Sequence, residues 1–336
     1  MPIGRRTVIR RGGGRTEQAV AACCASMGWP AASFHRDPEG RTNAVYLSEG
    51  LGVVLSVAGP GVGRDDVAER VRLARAVAEQ APFVRPVPDL IQPVDTGHGM
   101  VSLWELVVTT PTVDLEAVGS TLAQFHAIDG VALGASSTAL GPARVMRDTG
   151  AWIADLAQRG RLRPADARVL SVEDRRLATA LGHPDTGATG LLHGDLHWPN
   201  ILMTRDGAVL CDTDEIGLGS PEYDVAYLFD PDRRVLADAD LRAFASGYGS
   251  PVPDVATRRQ LARRSHLTFT LRLAERAATI RDRFWVDQWL AGWRRVVADP
   301  AAPLTPPREH GRLDQLRTTV RGPIERRGQP PVAPGD

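Results

Sequence analysis

Apolar and polar side chains alternate most clearly in the first third of the chain. AVYLS (44–48) and GVVLSVAG (52–59) have the period of two expected of strands and flank the turn EGLG, which predicts a hairpin. MVSLWELV (100–107) is apolar enough to be a buried strand. Between them the period becomes helical. Val67, Val71, Ala74 and Ala78 share one face of residues 65–80, and Asp65 and Asp66 suit the positive N-terminal end. A shorter helix is predicted over 16–28, closed by Gly28 before Pro30. Beyond residue 108 helical spacing dominates, over Leu115 to Ile128, 145–160, 164–181, 235–249 and 254–298, with another helix opening in GSPEYDVAYLF. One interruption stands out: ILMT, RDG and AVLCD (201–212) predict a second hairpin, its turn centred on Asp206-Gly207. The pattern divides the chain into an N-terminal arm and helix (1–29), a small strand-rich lobe (30–105), a larger mainly helical lobe (106–298) and a Pro/Arg-rich tail (299–336). The predicted class is α+β in two lobes.

Composition narrows the possibilities. A chain of 336 residues, 43% hydrophobic, can bury a core in each of two lobes. Basic and acidic residues balance at 40 each, which removes any bulk attraction for nucleic acid or an anionic membrane. No apolar run reaches the ~18 residues of a membrane span, and the basic N-terminus lacks the apolar centre of a secretory signal. Cys23, Cys24 and Cys211 make neither a disulfide framework nor a zinc set, so a reducing cytoplasm is the expected compartment. The chain contains no Lys, so all 40 basic side chains are Arg and no lysine can clamp a phosphate.

The candidate chemistry lies in LLHGDLHWPN (191–200) and the hairpin after it. A turn at Asp206-Gly207 puts Met203 near Leu210 and Ile201 near Asp212, so Asn200 and Asp212 arrive together at the open end. Asp195 lies in the loop just before. Two carboxylates and an amide oxygen suit a hard cation such as Mg2+. His193-Gly194-Asp195 followed by Asn200 also has the spacing of the kinase catalytic loop, in which the Asp takes the proton of the attacking hydroxyl and the Asn holds a metal. A further Asp after a hairpin, here Asp212, holds the metal that bridges the phosphates.

The segment LLHGDLHWPNILMTRDGAVLCDTDEIGLGSPEYDVAYL resembles the core of the aminoglycoside phosphotransferase and choline kinase family, with weaker support from STLAQFHAI, SLWELV and LRAFASGYG. The resemblance spans about 40–300 and is specific over 191–229. It implies a two-lobed, protein-kinase-like phosphotransferase. Asp195 would be the catalytic base, Asn200 and Asp212 the ligands of Mg2+, His193 a residue that orders the loop, and Asp224 its brace from the next helix. ATP or GTP would lie between the lobes with its base against Trp104, Glu105 and Leu106. The partner would be a small molecule with an acceptor hydroxyl, an aminoglycoside-type antibiotic being the first class by family. A polycationic sugar would want an acidic pocket, for which Asp230, Asp232, Asp238, Asp240 and Asp254 are available. The oligomeric state is open.

One position departs from the family. Ser56 stands on the strand where its members carry a Lys, or sometimes an Arg, against the nucleotide phosphates. In the helix that would supply the partner of that residue, one register offers Glu69 and the next Arg70. Arg41, Arg64 and Arg70 are candidates for the missing charge. Two rival readings follow. One is a nucleotide-binding pseudokinase without transfer activity. The other is a metallophosphoesterase-like hydrolase, in which His193, Asp195, His197 and Asp212 would bind two metals.

Overall fold

The computed structural model describes residues 14–37, 43–135, 140–182, 190–233, 236–277 and 280–304. Most of the basic arm, Arg41 and the greater part of the Pro/Arg-rich tail lie outside the described residues.

The small lobe is a five-stranded antiparallel sheet with one helix before it in sequence and one between its third and fourth strands. Helix α1 (Arg15–Met27) precedes β1 (His35–Arg36), β2 (Ala44–Ser48) and β3 (Val53–Val57). Helix α2 (Arg64–Ala78), β4 (Val94–Asp95) and β5 (Met100–Glu105) follow. The strand order is β1-β2-β3-β5-β4. Period-two patterning decides which face is covered: Val53, Leu55 and Val57 of β3 are buried, whereas Val54 and Ser56 are half-buried. The covered face packs on Ala19, Val20, Cys23 and Cys24, so α1 belongs to the core of the small lobe. Burial pushes the thiols of Cys23 and Cys24 up to about 11, which keeps both as packing groups at neutral pH.

The large lobe begins with α3 (Leu115–His126), α4 (Gly130–Ala135), α5 (Thr149–Gln158) and α6 (Pro164–Leu181). Short strands β6 (Leu191–Leu192), β7 (Ile201–Thr204), β8 (Gly207–Leu210) and β9 (Gly217–Leu218) follow, then α7 (Glu222–Leu228), α8 (Asp238–Tyr248), α9 (Val255–Arg276) and α10 (Ile280–Ala298). The run expected to be helical over 254–298 is therefore two helices. Side chains fix several helix starts: Asp114, Asp148 and Asp254 accept hydrogen bonds from N–H groups in the first turns of α3, α5 and α9. Helices α3 and α8 cross at Gly119 and Gly247, where a Cβ on either would collide with the backbone of the other.

One apolar cluster joins the lobes. Leu73, Ala74 and Val77 of α2 pack with Phe83, Leu122, Phe125, Ile201 and Leu210. The segment after α2 also bonds to β8, where Val84 N–H donates to Leu210 O (2.8 Å) and Leu210 N–H to Pro82 O (3.0 Å). Leu210 is fully buried, and truncating such a side chain to Ala costs ~2–5 kcal/mol. Helix α2 is thus held against the hairpin that carries the candidate site.

Candidate active site

The loop between β6 and β7 is held by one buried carboxylate. Asp224, on α7 and 2% exposed, accepts the backbone N–H of His193 on Oδ2 (2.6 Å) and that of Gly194 on Oδ1 (3.0 Å). Hydrogen bonds to a charged acceptor are the stronger kind, and two of them on successive peptides fix the plane of the loop. Behind Asp224, His126 Nε2 lies 3.1 Å from Oδ2 and its Nδ1 lies 2.8 Å from the Tyr248 hydroxyl. His193 is buried and donates from Nε2 to Cys211 O (2.9 Å), tying the loop to the end of β8. Gly194 has φ +78°, and a Cβ there would strike the Glu215 carbonyl, so the residue between His193 and Asp195 has to be Gly. The loop then leaves Asp195 with its side chain 23% exposed, and His197 Nε2 lies 3.9 Å from its Oδ2.

The hairpin brings the other two oxygen donors in, though in a different register from the expected one. Thr204 pairs with Gly207 and Ile201 with Leu210, so the turn is Arg205-Asp206 and Ile201 does not face Asp212. The cause is local: Thr204 Oγ accepts Asp206 N–H (3.2 Å) and donates to Gly207 O (3.0 Å), which makes Gly207 the first strand residue after the turn. Asn200 therefore faces Cys211, whose N–H donates to Asn200 O (3.0 Å). Asp212 is the next residue and turns back at φ +77°, a region that a non-glycine residue seldom occupies. One of its carboxylate oxygens accepts Asp214 N–H (2.9 Å). Asn200 is buried and donates from Nδ2 to Asp195 O (3.0 Å), which leaves its amide oxygen as the group that could meet a cation. An amide oxygen and a carboxylate oxygen are the donors Mg2+ takes, with nucleotide oxygens and water completing its shell. Among the described residues no three of His, Cys, Asp and Glu form a metal cluster. The four residues of the two-metal hydrolase reading, His193, Asp195, His197 and Asp212, therefore form no such cluster.

The small-lobe wall differs from what a lysine clamp would need. Ser56 pairs with Ser102 across β3 and β5, and the Ser102 hydroxyl donates to Ser56 O (3.5 Å). Glu69 forms an ion pair with Arg72 of its own helix. Arg70 is the α2 residue that crosses the cleft, with Nη1 2.6 Å from Asp214 Oδ1. Arg64 is turned to Pro93 O (3.3 Å). In the connecting strand, Glu105 N–H donates to Arg85 O (2.8 Å) and Leu106 N–H to Gly52 O (2.9 Å). A base reading this segment would meet carbonyls, or the N–H groups beyond Leu106, and not the amides of Glu105 and Leu106. The Trp104 indole N–H donates to the Ser102 hydroxyl (2.9 Å).

Sequence reasoning missed the ion pairs beside the loop. Glu215 is bound by Arg144 (3.0 Å) and by Arg272 of α9, and Arg144 also reaches Gly194 O (3.4 Å). Burial, then the nearby charge of Arg144, pushes Arg272 down to about 10. The acids considered for a polycation pocket are largely engaged. Asp230 binds His266 (2.8 Å) and Asp232 binds Arg259 (2.9 Å) and Arg263 (3.4 Å). Asp240 accepts Ala237 N–H (3.3 Å), and Asp254 caps α9. Among the described residues no helix is long and apolar enough to cross a membrane.

A family model for the phosphotransferase enzyme family matches residues 33–262, more than half of the chain. The chain belongs to the phosphotransferase enzyme family. Membership makes it a small-molecule phosphotransferase, and the strand-rich small lobe over a helical large lobe is its kinase-like fold. Solved structures agree on that fold. A choline/ethanolamine kinase family protein from Mesorhizobium loti is similar at 18% identity and TM-score 0.59, over 92% of this chain and 100% of that one. The GDP and kanamycin complex of the aminoglycoside phosphotransferase APH(2″)-IIIa is similar at 17% identity and TM-score 0.57, over 80% and 93%. Amicoumacin kinase, in complex with AMP-PNP, Ca2+ and Ami, is similar at 14% identity and TM-score 0.55, over 82% and 90%. No curated protein matches in sequence.

Proposed function

We propose that this phosphotransferase moves the γ-phosphoryl group of ATP or GTP to a hydroxyl of a small molecule. The observation that carries the reading is the backbone bond from Cys211 to Asn200, which delivers Asp212 to the loop that Asp224 holds in place. Asp195 is the general base. The acceptor oxygen attacks the γ-phosphorus, the bond from phosphorus to the β,γ-bridging oxygen breaks, and the hydroxyl proton goes to the Asp195 carboxylate. Asn200 and Asp212 would hold Mg2+, which neutralises charge on the phosphates when bound. His193, Asp224 and His126 hold the loop in position and move no proton. The nucleotide base would lie against the backbone of Trp104, Glu105 and Leu106.

An aminoglycoside-type antibiotic is the first acceptor class to try, by family. Charge argues for a wider panel, because Asp230 and Asp232 are paired while two arginines, Arg144 and Arg272, share the one carboxylate of Glu215 beside the loop of Asp195. Neutral and acidic hydroxyl compounds therefore belong in it. The test is thermal shift and ADP or GDP release with ATP or GTP, Mg2+ and that panel. Acceptor-dependent nucleoside diphosphate release supports the reading. Nucleotide binding with no release under any acceptor supports the pseudokinase reading, which the Ser56 position favours.

A further inference from the structure

Phosphoryl transfer needs positive charge against the phosphates, and in protein kinases a strand lysine supplies it, paired to a glutamate of the following helix. Here the chain has no lysine and β3 offers Ser56. Several small-lobe arginines face elsewhere: Arg36 to Glu17, Arg64 to Pro93 O, Arg72 to Glu69 and Arg75 to Leu90 O. Arg70 differs. Its guanidinium lies 2.6 Å from Asp214 Oδ1, and Asp214 in turn donates its N–H to the Asp212 carboxylate (2.9 Å). One residue, Asp214, therefore links the α2 cation to the predicted metal ligand.

We propose that Arg70 is the cation that meets the nucleotide phosphates, with Asp214 as the anion that positions it, so that the charge pair of the cleft is turned around. The helix supplies the positive partner and the loop after β8 the negative one. A guanidinium is suited to this exchange because its planar fork can hold a carboxylate on one edge and present further N–H groups to a second anion. Side-chain exposure of 24% for Arg70 leaves part of the group open, whereas Asp214 is 12% exposed. Packing through Leu73, Ala74 and Val77 onto the cluster that contains Leu210 holds the helix of Arg70 against the hairpin that leads to Asp212.

The inference rests on the nucleotide reading above, and the test separates the two. Isothermal titration is run on the whole protein with the nucleoside, the diphosphate·Mg2+ and the triphosphate·Mg2+ of whichever base the wild type takes. Arg70→Met is expected to weaken the two phosphorylated ligands about 10- to 100-fold, the range of a charge-assisted contact, and to leave the nucleoside unchanged. The double variant Arg70→Met/Asp214→Asn removes both charges together and is expected to show the same phosphate-selective loss, which covers the case in which an unpaired Asp214 unsettles the loop. Equal loss for all three ligands, or no loss, overturns the assignment of Arg70. A wild type that binds none of the three overturns the nucleotide reading itself.

Discussion

The two walls of the cleft reach the same end by different means. On the large-lobe wall, the expected residues stand on overlapping restraints: Asp224 holds two backbone N–H groups, His193 holds Cys211 O, and Asn200 holds Asp195 O. On the small-lobe wall, the usual strand position carries Ser56, and among the described residues an ion pair from Arg70 to Asp214 spans the gap. The first wall has its geometry built in before any ligand arrives, so binding need not order it. The second keeps one charge contact that a nucleotide can share. On the proposed reading, the proton-transfer and metal-binding groups are retained while the phosphate contact moves to another element.

The comparison can be broken at several points. Among effects on binding and stability, the largest is expected from Asp212→Ala, which should lower Mg2+-dependent nucleotide affinity by on the order of 100-fold in calorimetry. Affinity equal to wild type would remove Asp212 from the metal site. Asp224→Asn comes next. It takes the charge from the acceptor of two N–H bonds, and a denaturant titration should show ~1.5–3 kcal/mol less stability, with slower turnover. An unchanged midpoint and rate would mean the loop holds itself. For the small-lobe wall, Ser56→Lys should leave nucleotide affinity within about 2-fold of wild type if Arg70 already supplies the contact, and should tighten it in an Arg70→Met background. Tightening in the otherwise wild-type chain would put the strand, not the helix, in charge of the phosphates.

The smallest effect is a pH dependence away from the cleft. Burial holds His266 below its ordinary value of 6.5, against the opposing bond that its Nε2 donates to Asp230. The unfolded chain takes up that proton first, so the contribution is present above about 6.5 and is lost as pH falls toward the depressed value. Denaturant midpoints at about pH 7.5 and 5.5 should differ more for wild type than for His266→Gln. Equal differences would place the acid sensitivity elsewhere.

Much of this was legible in the sequence because it is local. The spacing of His193, Asp195 and Asn200, the following hairpin and Asp224 lie within one stretch of chain, and period-two and helical patterning placed them on a loop, a hairpin and a helix. The hairpin register was misjudged by one turn position, since the Thr204 hydroxyl closes the turn before Gly207. What escaped is long-range and charged. Arg70–Asp214, Arg144–Glu215, Arg272–Glu215 and His126–Asp224 join residues far apart in sequence, and an arginine on an amphipathic helix gives no sign of which acid it will meet. Asp214 and Glu215 read naturally as solvated acids, and the fold makes both of them ion-pair partners.

The measurement that bears most directly on the central claim compares wild type with Asp195→Ala in acceptor-dependent release of ADP or GDP, with nucleotide·Mg2+ affinity taken by calorimetry on the same samples. Loss of a general base predicts turnover lower by about 10²–10⁴ with affinity unchanged. Turnover equal to wild type in Asp195→Ala would contradict the account.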